Sequence, residues 1–135
     1  MGVADLPLLN QIKGRLGWLD ERQRVIAENV ANADTPGYGA RDLKTPADFA
    51  AAMRSGGGLQ MARTNAAHIA PRTPPLRFDA GKAPDSETTL DGNSVVVEEQ
   101  MLKMAESRMA YDAAIGFYQK SMGMIRMAAK KPGAG

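Results

Sequence analysis

One histidine, His68, and no cysteine occur in this chain of 135 residues, so thiolate chemistry, disulfides and multi-histidine metal sites are excluded by composition. A lone imidazole can act as a general base, but His68 lies in a Gly- and Pro-rich stretch where a loop or capping role is the ordinary reading. Adjacent carboxylates at Asp20-Glu21 and Glu98-Glu99 are the other candidates for acid–base work. Both pairs fall on predicted helices beside Arg22, Arg24 and Lys103, where solvated pairing across one turn is expected. Ser55-Gly56-Gly57-Gly58 offers backbone amides to a phosphate, but no Lys-Ser or Lys-Thr follows, and the run reads as a flexible linker. We therefore expect no enzyme: no catalytic residue, no cofactor, no metal and no small-molecule substrate.

Charge narrows the partners. Lys and Arg number 17 against 15 Asp and Glu, a small excess without the clustered bases and interleaved aromatics of a nucleic-acid surface. No run of apolar residues is long enough for a membrane span. Met1 to Pro7 lack the charged and then apolar regions of a cleaved leader, so an extracytoplasmic destination would need another route.

Any function must then reside in the elements themselves, and two long helices dominate. The first is predicted from Pro7, a residue suited to an opening turn, to about Ala33. Leu9, Ile12, Leu16, Leu19, Gln23, Ile26, Val30 and Ala33 alternate spacings of three and four, a coiled-coil seam with one polar interruption. The second is predicted from about Ser94 to Ala129, with Asn93 or Ser94 as cap and Val95 to Val97 as a poor, extended first turn. Its seam is Val97, Met101, Met104, Arg108, Tyr111, Ile115, Tyr118, Met122, Ile125 and Ala129. The expected fold is mainly α: an antiparallel coiled-coil hairpin of the two terminal helices with an irregular middle.

Each helix carries more apolar surface than one seam explains. Trp18 and Val25 lie seven apart on another face of the first helix, as do Leu102 and Met109, and Phe117 and Met124, on the second. Contact with the middle segment is one explanation; packing against neighbouring subunits is the one favoured, because paired side chains at a helical repeat are seldom incidental. The chain divides accordingly into 1–39, 40–93 and 94–135. The middle part has nine Leu, Ile, Met or Phe in 54 residues, with five Pro and five Gly, too little apolar surface to fold by itself. A short helix from Pro46 to Met53 and a strand pair of Leu59–Arg63 with Leu76–Phe78 are its plausible elements.

The first helix ends at Asn29-Val30-Ala31-Asn32-Ala33-Asp34-Thr35-Pro36-Gly37-Tyr38. Pro36 stops the helix, Pro36-Gly37 suit the centre of a type II turn, and Gly37 accepts positive φ. Asn29, Ala31, Asn32, Thr35, Pro36, Gly37 and Tyr38 match the Asn-x-Ala-Asn-x-x-Thr-Pro-Gly-Tyr signature of the flagellar rod and hook axial proteins, which the chain resembles. Ala40-Arg41-Asp42-Leu43 and Leu90-Asp91-Gly92-Asn93-Ser94-Val95 resemble the proximal-rod branch of that family; Gly39-Ala40 departs from the Tyr-Lys continuation of the wider group.

The resemblance implies a structural subunit of the bacterial basal-body rod, in a helical hetero-assembly that transmits torque and lines an export channel. It implies passage through the flagellar type III apparatus without a cleaved leader, into the periplasm-spanning rod. Implied partners are other flagellar rod proteins, the rod-base adaptor, and the export gate or membrane ring. The alternative from the heptads alone is a coiled-coil adaptor or export-linked chaperone.

Overall fold

The computed structural model describes residues 6–45 and 78–130. Its order is α1 (Pro7–Ala31), β1 (Arg41–Leu43), β2 (Ala80–Lys82) and α2 (Val97–Ala129). The predicted helix from Pro46 and the strand Leu59–Arg63 lie outside the described residues, as do His68, the Gly56 run and Leu76-Arg77. At about 1.5 Å per residue the helices are about 38 and 50 Å long. None of the described helices is long and apolar enough to cross a membrane.

The helices run in opposite directions. Asn29, near the end of α1, bonds Gln100 in the first turn of α2, while Trp18 and Leu19 lie with Ala110 and Tyr111 further along. On α1 the seam positions Leu9, Ile12, Leu19 and Ile26 are buried, and Leu16 and Val30 are half-buried.

On α2 the inward face is rotated from the expected one. Gln100, Ser107 and Ser121 are buried and Ala114 is half-buried, a line of small or polar residues at a spacing of seven. Met101, placed in the seam by its hydropathy, is 59% exposed. The second seam line, Met104, Tyr111, Tyr118 and Ile125, is half-buried, as are Ile115 and Met122. Each step along a helix turns by about 100°, so moving the tight line back by one residue swings Met101 outward. Small side chains win that line because they let the two backbones approach.

Trp18 and Val25 correct the expected docking face of α1, because both are buried within the chain at 5% and 1% exposure. They form one cluster with Leu19 and Leu43, with Phe78 and Ala80 packed against it. The chain leaving α1 turns back as β1 and pairs antiparallel with β2, Arg41 opposite Lys82 and Leu43 opposite Ala80. Bonds from Lys44 N–H to Asp79 O and from Ala83 N–H to Ala40 O extend the pairing. Two short strands are marginal in water. Here Leu43 and the fully buried Ala40 anchor them to the helix. Indole Nε1 of Trp18 donates to Lys44 O at 3.2 Å, and the Arg22 guanidinium stacks over Trp18. Arg22 also grips Asp42 through both carboxylate oxygens, at 3.1 and 3.2 Å.

Candidate functional site

The turn after α1 forms as its residue types dictate. Asn32 is the C-cap, its Nδ2 donating to Glu28 O at 2.9 Å. Tyr38 N–H donates to Thr35 O across Pro36-Gly37, and Gly37 has φ of 73°. That φ is open to glycine and strained for a side chain.

A second turn closes on the first. Gly92, in Leu90-Asp91-Gly92-Asn93, has φ of 86°, and a Cβ built on it would meet Gly37 Cα at 3.4 Å. Gly37 N–H donates to Asp91 O at 2.8 Å, and Ser94 N–H to Tyr38 O at 3.0 Å. Asn93 Nδ2 donates to Asn32 O and Thr35 O at 2.9 and 2.8 Å, a second bond for two carbonyls of the first turn that also accept from the Thr35 and Tyr38 N–H groups. Its Oδ1 accepts from Val95 N–H. Ser94 Oγ accepts from Ala40 N–H at 2.9 Å. The two motifs, 54 residues apart in sequence between Tyr38 and Gly92, are thus one interlocked structure.

Asn29 is the centre of the adjoining network. Its Nδ2 donates to Arg41 O at 2.6 Å and to Gln100 Oε1 at 2.9 Å, and its Oδ1 accepts from Tyr38 Oη and Arg41 N–H at 3.2 and 3.1 Å. Every hydrogen-bonding position of this buried amide is used. Gln100 Nε2 in turn donates to Asp85 Oδ2, which also receives Val96 N–H, both at 2.8 Å; Lys103 Nζ meets Oδ1 at 2.9 Å. The Asp85 side chain is fully buried. Burial pushes its carboxyl up, but bonds from Gln100, Lys103 and the Val96 amide outweigh that and hold it below the ordinary carboxylate value.

Asn93 and Ser94 do not cap α2 as expected; Asp85 instead accepts from the N–H of Val96, the residue just before the helix. The helix begins at Val97 with Val96 as N-cap and no cap from an adjacent side chain, and the N–H of Val96 is bonded from eleven residues upstream. Glu98 and Glu99 complement the dipole in the first turn. Lys103 likewise reaches Asp85 and not the neighbouring helical acids, while Glu99 accepts from Ser86. Arg24 does pair along α1, with Glu21 and Glu28. Sequence reasoning missed Asp85 and Gln100, since nothing local distinguishes a buried Asp or Gln from an exposed one.

The remaining expected face is on α2. Leu102, Met109, Phe117 and Met124 are all at least half-exposed, and the outward-turned Met101 and Met127 add to them. These side chains cover no part of the described chain's core, whereas Trp18 and Val25 do.

The family model described as flagella basal body rod protein matches residues 14–38, from the middle of α1 to the last residue of the first turn. Flagellar basal body rod protein FlgB of Proteus mirabilis strain HI4320 is 35% identical over 105 residues, covering 73% of this chain and 75% of the relative. FlgB of Escherichia coli strain K12 is 33% identical over 101 residues, 70% and 72% of the two chains. FlgB of Agrobacterium fabrum is 34% identical over 124 residues, 84% and 86%. Similarity of this degree, sustained across most of both chains and including both interlocked turns, shows that the chain belongs to the flagellar basal body rod protein FlgB family.

Proposed function

We propose that this protein is a structural subunit of the flagellar basal-body rod, working by assembly and without catalysis. The observation that carries the reading is the exposed apolar face of α2 on a molecule whose other end is locked by a satisfied polar network. In the rod, α1 and α2 pair as an antiparallel coiled coil on the inner side of a helical tube, leaving a channel for exported subunits. Leu102, Met109, Phe117 and Met124 pack against neighbouring subunits, and the Asn29–Tyr38 turn sets the bend from helix to outer segment. The partners are other rod proteins, the rod-base adaptor and the export gate with its surrounding membrane ring. The protein reaches the periplasm-spanning rod through the flagellar export apparatus.

Cryo-tomography of cells lacking the gene tests this. A membrane ring with no projecting rod supports it, and the level of truncation places the subunit. Complete rods would overturn it in favour of an adaptor, which when purified should form a small oligomer of fixed size.

A further inference from the structure

The residues that join the two turns also set up a side reaction of the chain. Of the five asparagines in the sequence, Asn93 alone is followed by a serine, and none is followed by glycine. Ser94 is small, and its hydroxyl makes the adjoining backbone N–H more acidic, so its nitrogen is the readiest to attack the amide before it. Val30, after Asn29, is branched and crowds the same approach. The interlock asks for both residue types: Asn93 supplies two amide donors to the first turn, and Ser94 Oγ accepts from Ala40 N–H.

In the joined state each reacting group is held away from the reaction. Nδ2 of Asn93 lies between Asn32 O and Thr35 O at 2.9 and 2.8 Å, Oδ1 accepts from Val95 N–H at 2.8 Å, and Ser94 N–H donates to Tyr38 O at 3.0 Å. Asn93 is 2% exposed and Ser94 5%. Attack requires the side-chain amide to leave its three bonds and the Ser94 nitrogen to give up its own, where water hardly reaches.

We propose that Asn93 is a deamidation site governed by the interlock: inert while the two turns are joined, and converted to aspartate or isoaspartate in a chain whose turns stand apart. In the open chain Ser94 N–H loses its proton to solvent base as the nitrogen bonds to Asn93 Cγ. The Cγ–Nδ2 bond breaks and ammonia leaves with a proton returned from solvent, so a five-membered succinimide remains. One water then opens the ring, at Cγ to give aspartate or at the backbone carbonyl to give isoaspartate. No oxidant, reductant or cofactor enters.

The product does not rejoin the turns. A carboxylate only accepts hydrogen bonds, so where Nδ2 lay a charged oxygen faces the Asn32 and Thr35 carbonyls in a nearly sealed place. Isoaspartate adds a methylene to the main chain and displaces Ser94 N–H from Tyr38 O. The opening that permits the reaction is thereby made permanent, and copies that stay open are marked by charge and by shape. This chemistry belongs to the single chain and holds whatever the chain assembles with.

Ageing of the purified full chain in warm, mildly alkaline buffer tests it. Peptide mass spectrometry reads the exchange of NH2 for OH at Asn93, and chromatography resolves isoaspartate. The native chain should deamidate there at least about tenfold more slowly than the same chain unfolded in guanidinium chloride, since only the open fraction reacts. Gly37→Val, which strains the partner turn, should react faster than the native chain. The deamidated fraction, separated by its added charge, should have lost amide-exchange protection at Gly37 and Ser94, and Asn93→Asp should reproduce that loss. Native and unfolded chains reacting alike would overturn the proposal, and so would full protection at Gly37 and Ser94 in the deamidated fraction. The rate comparison uses the native chain alone, so it decides the matter even where a variant does not fold.

Discussion

The two ends of this molecule are held by opposite means. At the turn end few large apolar side chains are buried, and order comes from amides, hydroxyls and one carboxylate whose hydrogen bonds are complete: Asn29, Asn93, Ser94, Gln100 and Asp85. Along the helices away from it, packing runs through Leu9, Ile12 and Leu19 on α1 against a line of small residues on α2, while the outer apolar face stays in water. A satisfied polar network fixes one geometry and accepts no substitute, because each unpaired buried group is expensive. An apolar stripe is less exacting and can be completed by another chain. The first end therefore behaves as the template, and the second, in the proposed function, is the part that neighbours finish.

The largest break in this contrast should come from Asn29→Ala. It leaves the buried Gln100 Oε1 and the part-buried Arg41 backbone groups unpaired and should destabilise the isolated chain by about 3 kcal/mol, read from denaturant unfolding. Gly37→Val and Gly92→Ala come next, at about 2 kcal/mol each, since both glycines have positive φ and lie against one another. Because they touch, the double variant should lose less than the sum. Motility unchanged in Gly37→Val would remove the geometric role given to that turn.

Acid provides a third probe, specific to the turn end. The Asp85 carboxyl lies below its ordinary value of 3.8, so its contribution is fully present above that value and is lost as pH falls through the lower folded one. Protection of the Val96 amide against exchange should therefore persist at pH 5 (about one unit above the ordinary carboxyl value) and collapse in stronger acid. In Asp85→Asn the same amide should show no such acid transition.

Smaller changes sharpen the other side of the comparison. Ser107 and Ser121 have buried hydroxyls with no partner among the described residues. Ser107→Ala removes an unpaired hydroxyl and improves helix propensity, so it should raise stability by about 1 kcal/mol. Phe117→Glu, on the outer face, should move monomer stability by less than about 0.5 kcal/mol and yet block incorporation into rods. Normal incorporation would remove the argument for packing between subunits.

What could be read in the sequence follows from how local its causes are. Pro36 and Gly37 dictate their turn by their own backbone restrictions, and the leucines and isoleucines of α1 give their spacing directly. Val95 and Val96 precede the helix as their β-branched run suggested, and α2 begins at Val97, three residues after the expected Ser94. The seam of α2 was displaced because hydropathy gives weight to Met101 and none to Ser107 or Ser121, while close helix approach selects for size. The β pair was illegible: Arg41-Asp42-Leu43 is three residues without alternation, and its partner lies 39 residues on. Missing that pair is what left Trp18 and Val25 looking free. Of the candidate site, the turn residues were found through their motif, whereas Asp85 and Gln100 acquire their roles only from groups brought to them across the fold.

The meeting of Gly37 with Gly92 has a consequence in time. The Asn29–Gln100 bond spans 71 residues, and closing a flexible loop of that length costs about 4 kcal/mol in chain entropy before any contact is made. As the chain is synthesised, its first helix has nothing to lock against until the last third has emerged. The early portion must stay pliable throughout, and the clasp shuts only on a nearly finished molecule. A product truncated before Gly92 can never close it, so the architecture itself separates complete copies from incomplete ones.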